Sequence, residues 1–425
     1  MIYLNNWFQN NLRGKNGILF ALILCIITLP LSKLGLNNIA FILLALTTLI
    51  NYKQLKFNNN KALYIPIAYY ILLGLSCIWS IDIKQSVSAL SKEITLLLFP
   101  LIFLFLPKFK PSERNKVLRI YSYSMTLYSL FLLLKAFIRY LQTKDINVFF
   151  YHELVTLEIN AIYISVIFSL ALLYILRNNL IKWWDYLAAL LLFTVIILLS
   201  SKNIIVITIF LAALSFVAFK RKIELKNTVI IIGCITLITV SFGNKIAERF
   251  KDELKDIKEN VVLENGVVNV SLKNAIYQEK FDKNHYFSGS SFRVYQLRLL
   301  YELILQDHIF WTGYGANASQ DKVREVQIKR NYQEYFGELN FHNQYAQSFA
   351  ELGFIGFLIF AILIGFSIYK AIKTKDYNFL VFILLTSSLC ITESLFSRQR
   401  GVVFFITFYC LYHHSMYIEK KDENV

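Results

Sequence analysis

Apolar runs alternate with short polar or basic punctuation along most of the chain, and each approaches the roughly 20 residues an α-helix needs to cross a bilayer core. Read against turn and charge signals, the pattern predicts spans at 17–32, 36–51, 62–80, 87–106, 116–138, 158–176, 183–200, 203–219, 227–242, 346–372, 377–392 and 400–418. The expected architecture is all-α: a polytopic transmembrane helix bundle of about 12 spans, of which 36–51 and 377–392 are short for a full crossing. An even count puts both termini on one side. The first run follows Arg13 and Lys15, but no small-residue cleavage site follows it and many more spans do, so it reads as a retained span rather than a signal peptide.

The one long interruption divides the chain into residues 1–242 with nine spans, a polar loop domain at 243–343, and residues 344–425 with the last three spans and a short tail. Within the loop, Ala247, Phe250, Leu254, Ile257 and Val261 recur at helical spacing among charges, which predicts an amphipathic helix over 244–261 lying on the membrane. Ser288-Gly289-Ser290-Ser291 supplies a serine N-cap for a leucine-rich helix over 292–306, with Arg293 in its first turn. Gly313 and Gly315 then mark a turn, and a polar stretch leads to His342.

Composition sharpens this picture. Apolar residues make up 56% of the chain and charged ones 17%, a membrane protein's balance. Cys25, Cys77, Cys234, Cys390 and Cys410 all lie in apolar runs, so neither a disulfide framework nor a cysteine metal site is expected. The net charge of +16 comes mostly from short clusters between spans, which argues for membrane orientation and against nucleic acid as a partner. Alternate loops are basic, around Lys15, Lys53, Lys110, Arg177, Lys220 and Lys373; these loops are expected to face the cytoplasm, with both termini, and the long loop to face outside.

Cations that break this rule carry the candidate chemistry. Arg293 near a helix start suits phosphate, through its guanidinium and the positive end of the helix dipole; an ordinary surface arginine is the plainer reading. His342 precedes the long helix at 346–372, where a neutral imidazole can accept a proton; capping that helix is the plainer role. Lys202, in Ser200-Ser201-Lys202-Asn203, is another such cation, for which a snorkelling lysine is the plain reading. Glu393, Arg398 and Arg400 share the last outer loop, where a carboxylate holding an arginine and a substrate contact both fit. The outer loops hold no Asp-x-Asp or histidine cluster, so no divalent metal and no other cofactor is indicated, and cations would have to stabilise a leaving phosphate themselves.

Over roughly 190–410 the chain resembles the O-antigen ligase and polymerase superfamily of bacterial glycan transferases. The turn Ser200-Ser201-Lys202, the arginine-led helix from Arg293 to the Gly315 turn, and His342-Asn343-Gln344-Tyr345 followed by Glu351-Leu352-Gly353 carry the resemblance. It implies catalytic roles for His342 and Arg293, and substrate contacts from Lys202, Asn343, Tyr345, Glu393, Arg398 and Arg400. The family's usual residue after the serine turn is arginine; Lys202 keeps the charge but loses the bidentate fork. The resemblance also implies an undecaprenyl-pyrophosphate-linked glycan as donor, and a lipid A-core hydroxyl as acceptor for a ligase. A second lipid-linked glycan serves a polymerase, and a protein serves an O-oligosaccharyltransferase. The enzyme would sit among the lipids of the inner membrane, its site facing the periplasm. A single dominant outer loop favours the ligase. A lipid-linked glycan transporter or flippase is the non-enzyme alternative, but transporters tend to place charges near the midplane, whereas here they gather at one face.

Overall fold

The computed structural model describes residues 14–31, 34–155, 160–178, 182–217 and 266–415. The predicted span 227–242, the amphipathic helix at 244–261, the basic cluster at Lys220 and Cys234 lie outside the described residues.

Helices α1 (Gly14–Ile27), α2 (Leu34–Ile50), α3 (Lys61–Ser76), α4 (Ile83–Glu93), α5 (Thr95–Phe105) and α6 (Pro111–Thr143) are followed by the short α7 (Tyr151–Val155), then α8 (Ala161–Asn178), α9 (Trp183–Leu198) and α10 (Lys202–Val217). After the loop segment come α15 (Gln344–Lys373), α16 (Tyr377–Thr392) and α17 (Gln399–Ser415). Helix therefore stands at each described position where a span was expected. Among the described residues, four segments are long and apolar enough to cross a membrane: Ile83–Phe105, Pro111–Thr143, Ala161–Asn178 and Gln344–Lys373. Others are shorter. The 14 residues of α1 and 17 of α2 reach only about 21–26 Å at 1.5 Å per residue, less than a full bilayer core.

The loop segment contains β1 (Val268–Val270), α11 (Leu272–Tyr277), β2 (His285–Phe287), α12 (Gly289–Gln306), α13 (Ser319–Arg330) and α14 (Glu334–Gly337). It is less polar inside than its composition implies. Phe281, Phe287, Tyr295, Tyr332 and Phe336 are buried in a core of its own, which extends to Ala346 and Ala350 on α15. The parallel pairing of β1 with β2 departs from the all-α expectation, since three-residue strands are too short to show a two-residue period.

The long helix expected over 346–372 is interrupted. Gly353 has φ 64° and ψ −164°, a conformation that glycine tolerates and that breaks the helical ladder. The carbonyls of Ala350 and Glu351 at the break accept from the Tyr314 and Gly315 amides, each at 2.9 Å, while Phe354 N donates to Phe310 O at 2.7 Å. A Cβ on Gly353 would stand 2.3 Å from the Trp311 carbonyl carbon, and one on Gly313 2.3 Å from that of Glu351. The two glycines thus let the turn lie directly on the kink, satisfying backbone groups that a membrane interior would leave unpaired.

Basic loops assigned to one side by charge alone do meet at one end of the bundle. Lys15 pairs with Glu113 and donates to the Lys108 carbonyl; Arg114 pairs with Asp376; Arg177 lies over the Tyr377 ring. The start of α15 lies about 45 Å away by helix length, at the other end.

Candidate functional site

Four chain segments converge at that other end. Ser288 caps α12 by accepting from the Ser291 amide, as expected, but the helix begins at Gly289, so Arg293 sits one turn in rather than in the first turn. Its guanidinium consequently reaches back to the helix start, Nη1 donating to Gly289 O at 2.9 Å, and across to α16, Nε donating to Thr392 O at 3.0 Å. A carbonyl left unpaired at the end of α16 is thereby satisfied. Glu393 follows at once. Its carboxylate lies 3.5 Å from Arg293 Nη2 through one oxygen and 3.5 Å from His342 Nδ1 through the other.

This carboxylate is the centre of the arrangement. The Glu393 side chain is 8% exposed, whereas those of Arg293 and His342 are 29% and 25% exposed. A buried anion therefore holds two groups that both reach the surface. With Nδ1 facing Glu393 and the ring edge-on to Phe292, 5.8 Å between centroids, the opposite ring nitrogen is left for a substrate.

Helix capping falls to Asn343, not to the histidine. Asn343 Oδ1 accepts from the Tyr345 and Ala346 amides at 2.9 and 3.0 Å, closing the N-terminus of α15. His342 is released to the preceding residue position with φ 47°, a left-handed conformation that costs on the order of 1–3 kcal/mol unless its surroundings impose it. They do: His342 N donates to Asn340 Oδ1, and Phe341 N to Gln347 Oε1.

The remaining candidates separate. Lys202 opens α10, and its neighbour Asn203 donates to Ser388 O at 2.8 Å and to Thr392 Oγ1 at 3.2 Å, so this helix start is tied to the residue whose carbonyl binds Arg293. Tyr345 turns into the bundle, its hydroxyl 2.9 Å from Ser387 Oγ and its ring against Phe360. Arg398 is exposed and, with Glu393, lies within electrostatic reach of Tyr163 on α8. Arg400 lines an apolar cavity with Leu29, Tyr163, Leu389 and Phe404. Arg293, His342 and Glu393 are thus gathered at the end of α16, the Lys202–Asn203 helix start is tied to the same end through Asn203, Asn343 serves the backbone, Tyr345 turns into the bundle and Arg400 lines an apolar cavity.

A model of the family described as O-Antigen ligase matches residues 187–361. Over that stretch the match supports the O-antigen ligase superfamily. No curated protein matches it. The O-antigen ligase match takes in Lys202, Arg293 and His342 and ends before Glu393, so the carboxylate that joins two of these residues comes from beyond it. The match indicates a membrane glycosyltransferase-like enzyme, and the family implies glycan and lipid-linked substrates in general.

One contributor escaped sequence reasoning. Gln347 accepts from Phe341 N at 3.2 Å and from Ser394 Oγ at 3.4 Å, and donates to Ser319 and Glu351. It clamps the segment before His342 to the segment after Glu393. Gln344 repeats the device one turn earlier, accepting from Phe396 N at 2.7 Å and donating to Ser348, which also meets the Tyr69 hydroxyl. The signal was present as polar residues at helical spacing, 344, 347, 348 and 351, at the start of an otherwise apolar helix.

Proposed function

We propose that the chain is an O-antigen ligase-type glycosyltransferase that moves a glycan en bloc from undecaprenyl pyrophosphate to a lipid A-core hydroxyl at the periplasmic face of the inner membrane, with both termini cytoplasmic. The observation that carries this reading is Glu393 standing between Arg293 and His342. It couples an imidazole suited to a hydroxyl proton with a guanidinium suited to a phosphate.

In this scheme the donor pyrophosphate rests against Arg293 and Lys202. The acceptor oxygen attacks the anomeric carbon as the bond from that carbon to the pyrophosphate oxygen breaks, and the pyrophosphate leaves with the electron pair. The acceptor proton passes to the free nitrogen of His342. Glu393 then faces the imidazolium that forms and stabilises it, as a carboxylate behind a catalytic histidine does. Cations placed where leaving-group charge develops supply the electrostatic part, and general base help contributes about 10²–10⁴-fold. Direct displacement inverts the anomeric centre. Pyrophosphate leaves without protonation, so the scheme uses neither a protein acid nor a metal. Tyr345, Arg398 and Arg400 have no assigned step; Asn343 positions His342.

The test is to delete the gene, examine surface glycans, and assay the purified chain with lipid-diphosphate glycan. Loss of long-chain lipopolysaccharide with accumulation of long lipid-linked glycan, and transfer that survives chelator, are the expected results. Single-unit capping instead identifies a polymerase, transfer to protein an O-oligosaccharyltransferase, and chelator-sensitive transfer ends the metal-free scheme.

A further inference from the structure

Helix α12 is apolar on two sides, and only one of them is covered. Phe292, Tyr295, Leu299, Leu300 and Leu303 fill the aromatic core of the loop segment. The outward row is Leu297, Tyr301 and Leu305, four residues apart and 46%, 64% and 57% exposed. Arg293 stands four residues before Leu297, so the phosphate-binding candidate adjoins the first member of a row that winds about 80° around the helix by Leu305. Three large apolar side chains aligned on one face are unlike the scattered exposed hydrophobics of a water-facing surface.

The neighbouring charges do not compete for this face. Arg298 Nε pairs with Glu302 at 2.8 Å, Arg298 Nη1 donates to Gln278 O at 2.7 Å, and Glu302 also takes Arg330. Beyond the row, Phe310 and Trp311 pack on Phe354, where α15 resumes after its kink. From there the exposed flank of α15 is Ile355, Leu358 and Ile362, in a helix apolar and long enough to span a membrane. Exposed apolar side chains therefore stand on the spanning helix, on the aromatic pair and on α12, with the exposed polar residues Gln306, Asp307 and His308 between the last two along the chain. Tryptophan and tyrosine are the residues that favour the boundary between acyl chains and headgroups.

We propose that the Leu297–Tyr301–Leu305 row is seated in the lipid leaflet on the site's side of the membrane, with α12 lying in the plane of that boundary. Phospholipid is the occupant. Seating the row at this depth sets Arg293, adjoining its first member, at the level of headgroup phosphates, where a lipid-linked diphosphate would present itself without leaving the membrane.

The test uses the full chain in nanodiscs of phosphatidylethanolamine and phosphatidylglycerol, with nitroxide labels on Leu297→Cys, Tyr301→Cys and Leu305→Cys taken singly. The unsubstituted chain measures background labelling of the native cysteines. Leu358→Cys supplies a spanning-helix reference, and Ile328→Cys, 70% exposed on the polar helix α13, a water-facing one. The expected result is a ratio of oxygen to nickel-chelate collisions several-fold above that at Ile328 for all three row positions, approaching that at Leu358. Nickel access equal to that at Ile328 overturns the proposal, since the row then faces water. Shielding from both reagents also overturns it, and spin–spin broadening relieved by dilution with unlabelled chain would identify a second copy as the cover. The measurement reads depth alone, so its failure is distinct from failure to transfer glycan.

Discussion

At one end of the bundle Arg114 meets Asp376 at 2.5 Å, with side chains 10% and 12% exposed, and Asp376 also caps α16 by accepting from Phe379 N at 3.2 Å. At the other end Arg293 and His342 each stand 3.5 Å from a different oxygen of Glu393, with exposures of 29% and 25%. Both arrangements join a carboxylate at an end of α16 to a cation from a distant segment. The first is close, buried and occupied on both sides, which makes it a fastener. The second is looser, shares one anion between two partners and leaves their outer atoms open. Spacing and exposure, more than the residue types, separate an ion pair that holds the fold from one that can act on a substrate.

Three substitutions sharpen or break that contrast. The largest effect is expected from His342→Ala, which should lower glycan transfer by the purified chain by about a hundredfold or more while leaving its thermal unfolding midpoint in place; near-normal turnover would remove the histidine from the reaction. Next, Arg114→Ala should destabilise the chain by about 2–3 kcal/mol, a figure below the full cost of orphaning a buried charge because both side chains keep some solvent. Thermal unfolding in detergent reads this loss, and transfer per folded molecule should be unchanged; if transfer falls as well, the two ends are not functionally distinct. The smallest effect is expected from Glu393→Gln, about tenfold in kcat with little change in the donor KM, because Glu393 acts through the imidazole, at 3.5 Å, and not on the substrate. An unaltered kcat would mean that Glu393 merely fastens α16 to α12.

Much of the fold was legible because helix signals are local. The cap at Ser288 and the apolar runs of α8 and α16 all act within a few residues, and the helices stand where those signals put them. The kink at Gly353 was not legible, because its cause is the turn at residues 310–315, about forty positions earlier. The aromatic core of the loop segment was hidden for a related reason: Phe281, Phe287, Tyr295 and Tyr332 are spread among polar residues and show no single period. At the site, the candidate residue types were readable but their duties were not. Asn343 and His342 are adjacent in a polar motif, and only the backbone geometry assigns the cap to one and frees the other.

The sequence by itself determined a helical membrane protein, the placement of its described helices, the pooling of basic loops and the identity of the polar residues able to do chemistry, since hydropathy, capping and charge balance depend on neighbours along the chain. Tertiary structure alone decided that Glu393 joins Arg293 to His342, that Gln347 braces both segments, that Tyr345 turns into the bundle and that Arg400 lines an apolar cavity. The two Glu393 contacts bring together residues 51 and 100 positions apart, and no local period or spacing encodes which face of one helix will meet the end of another.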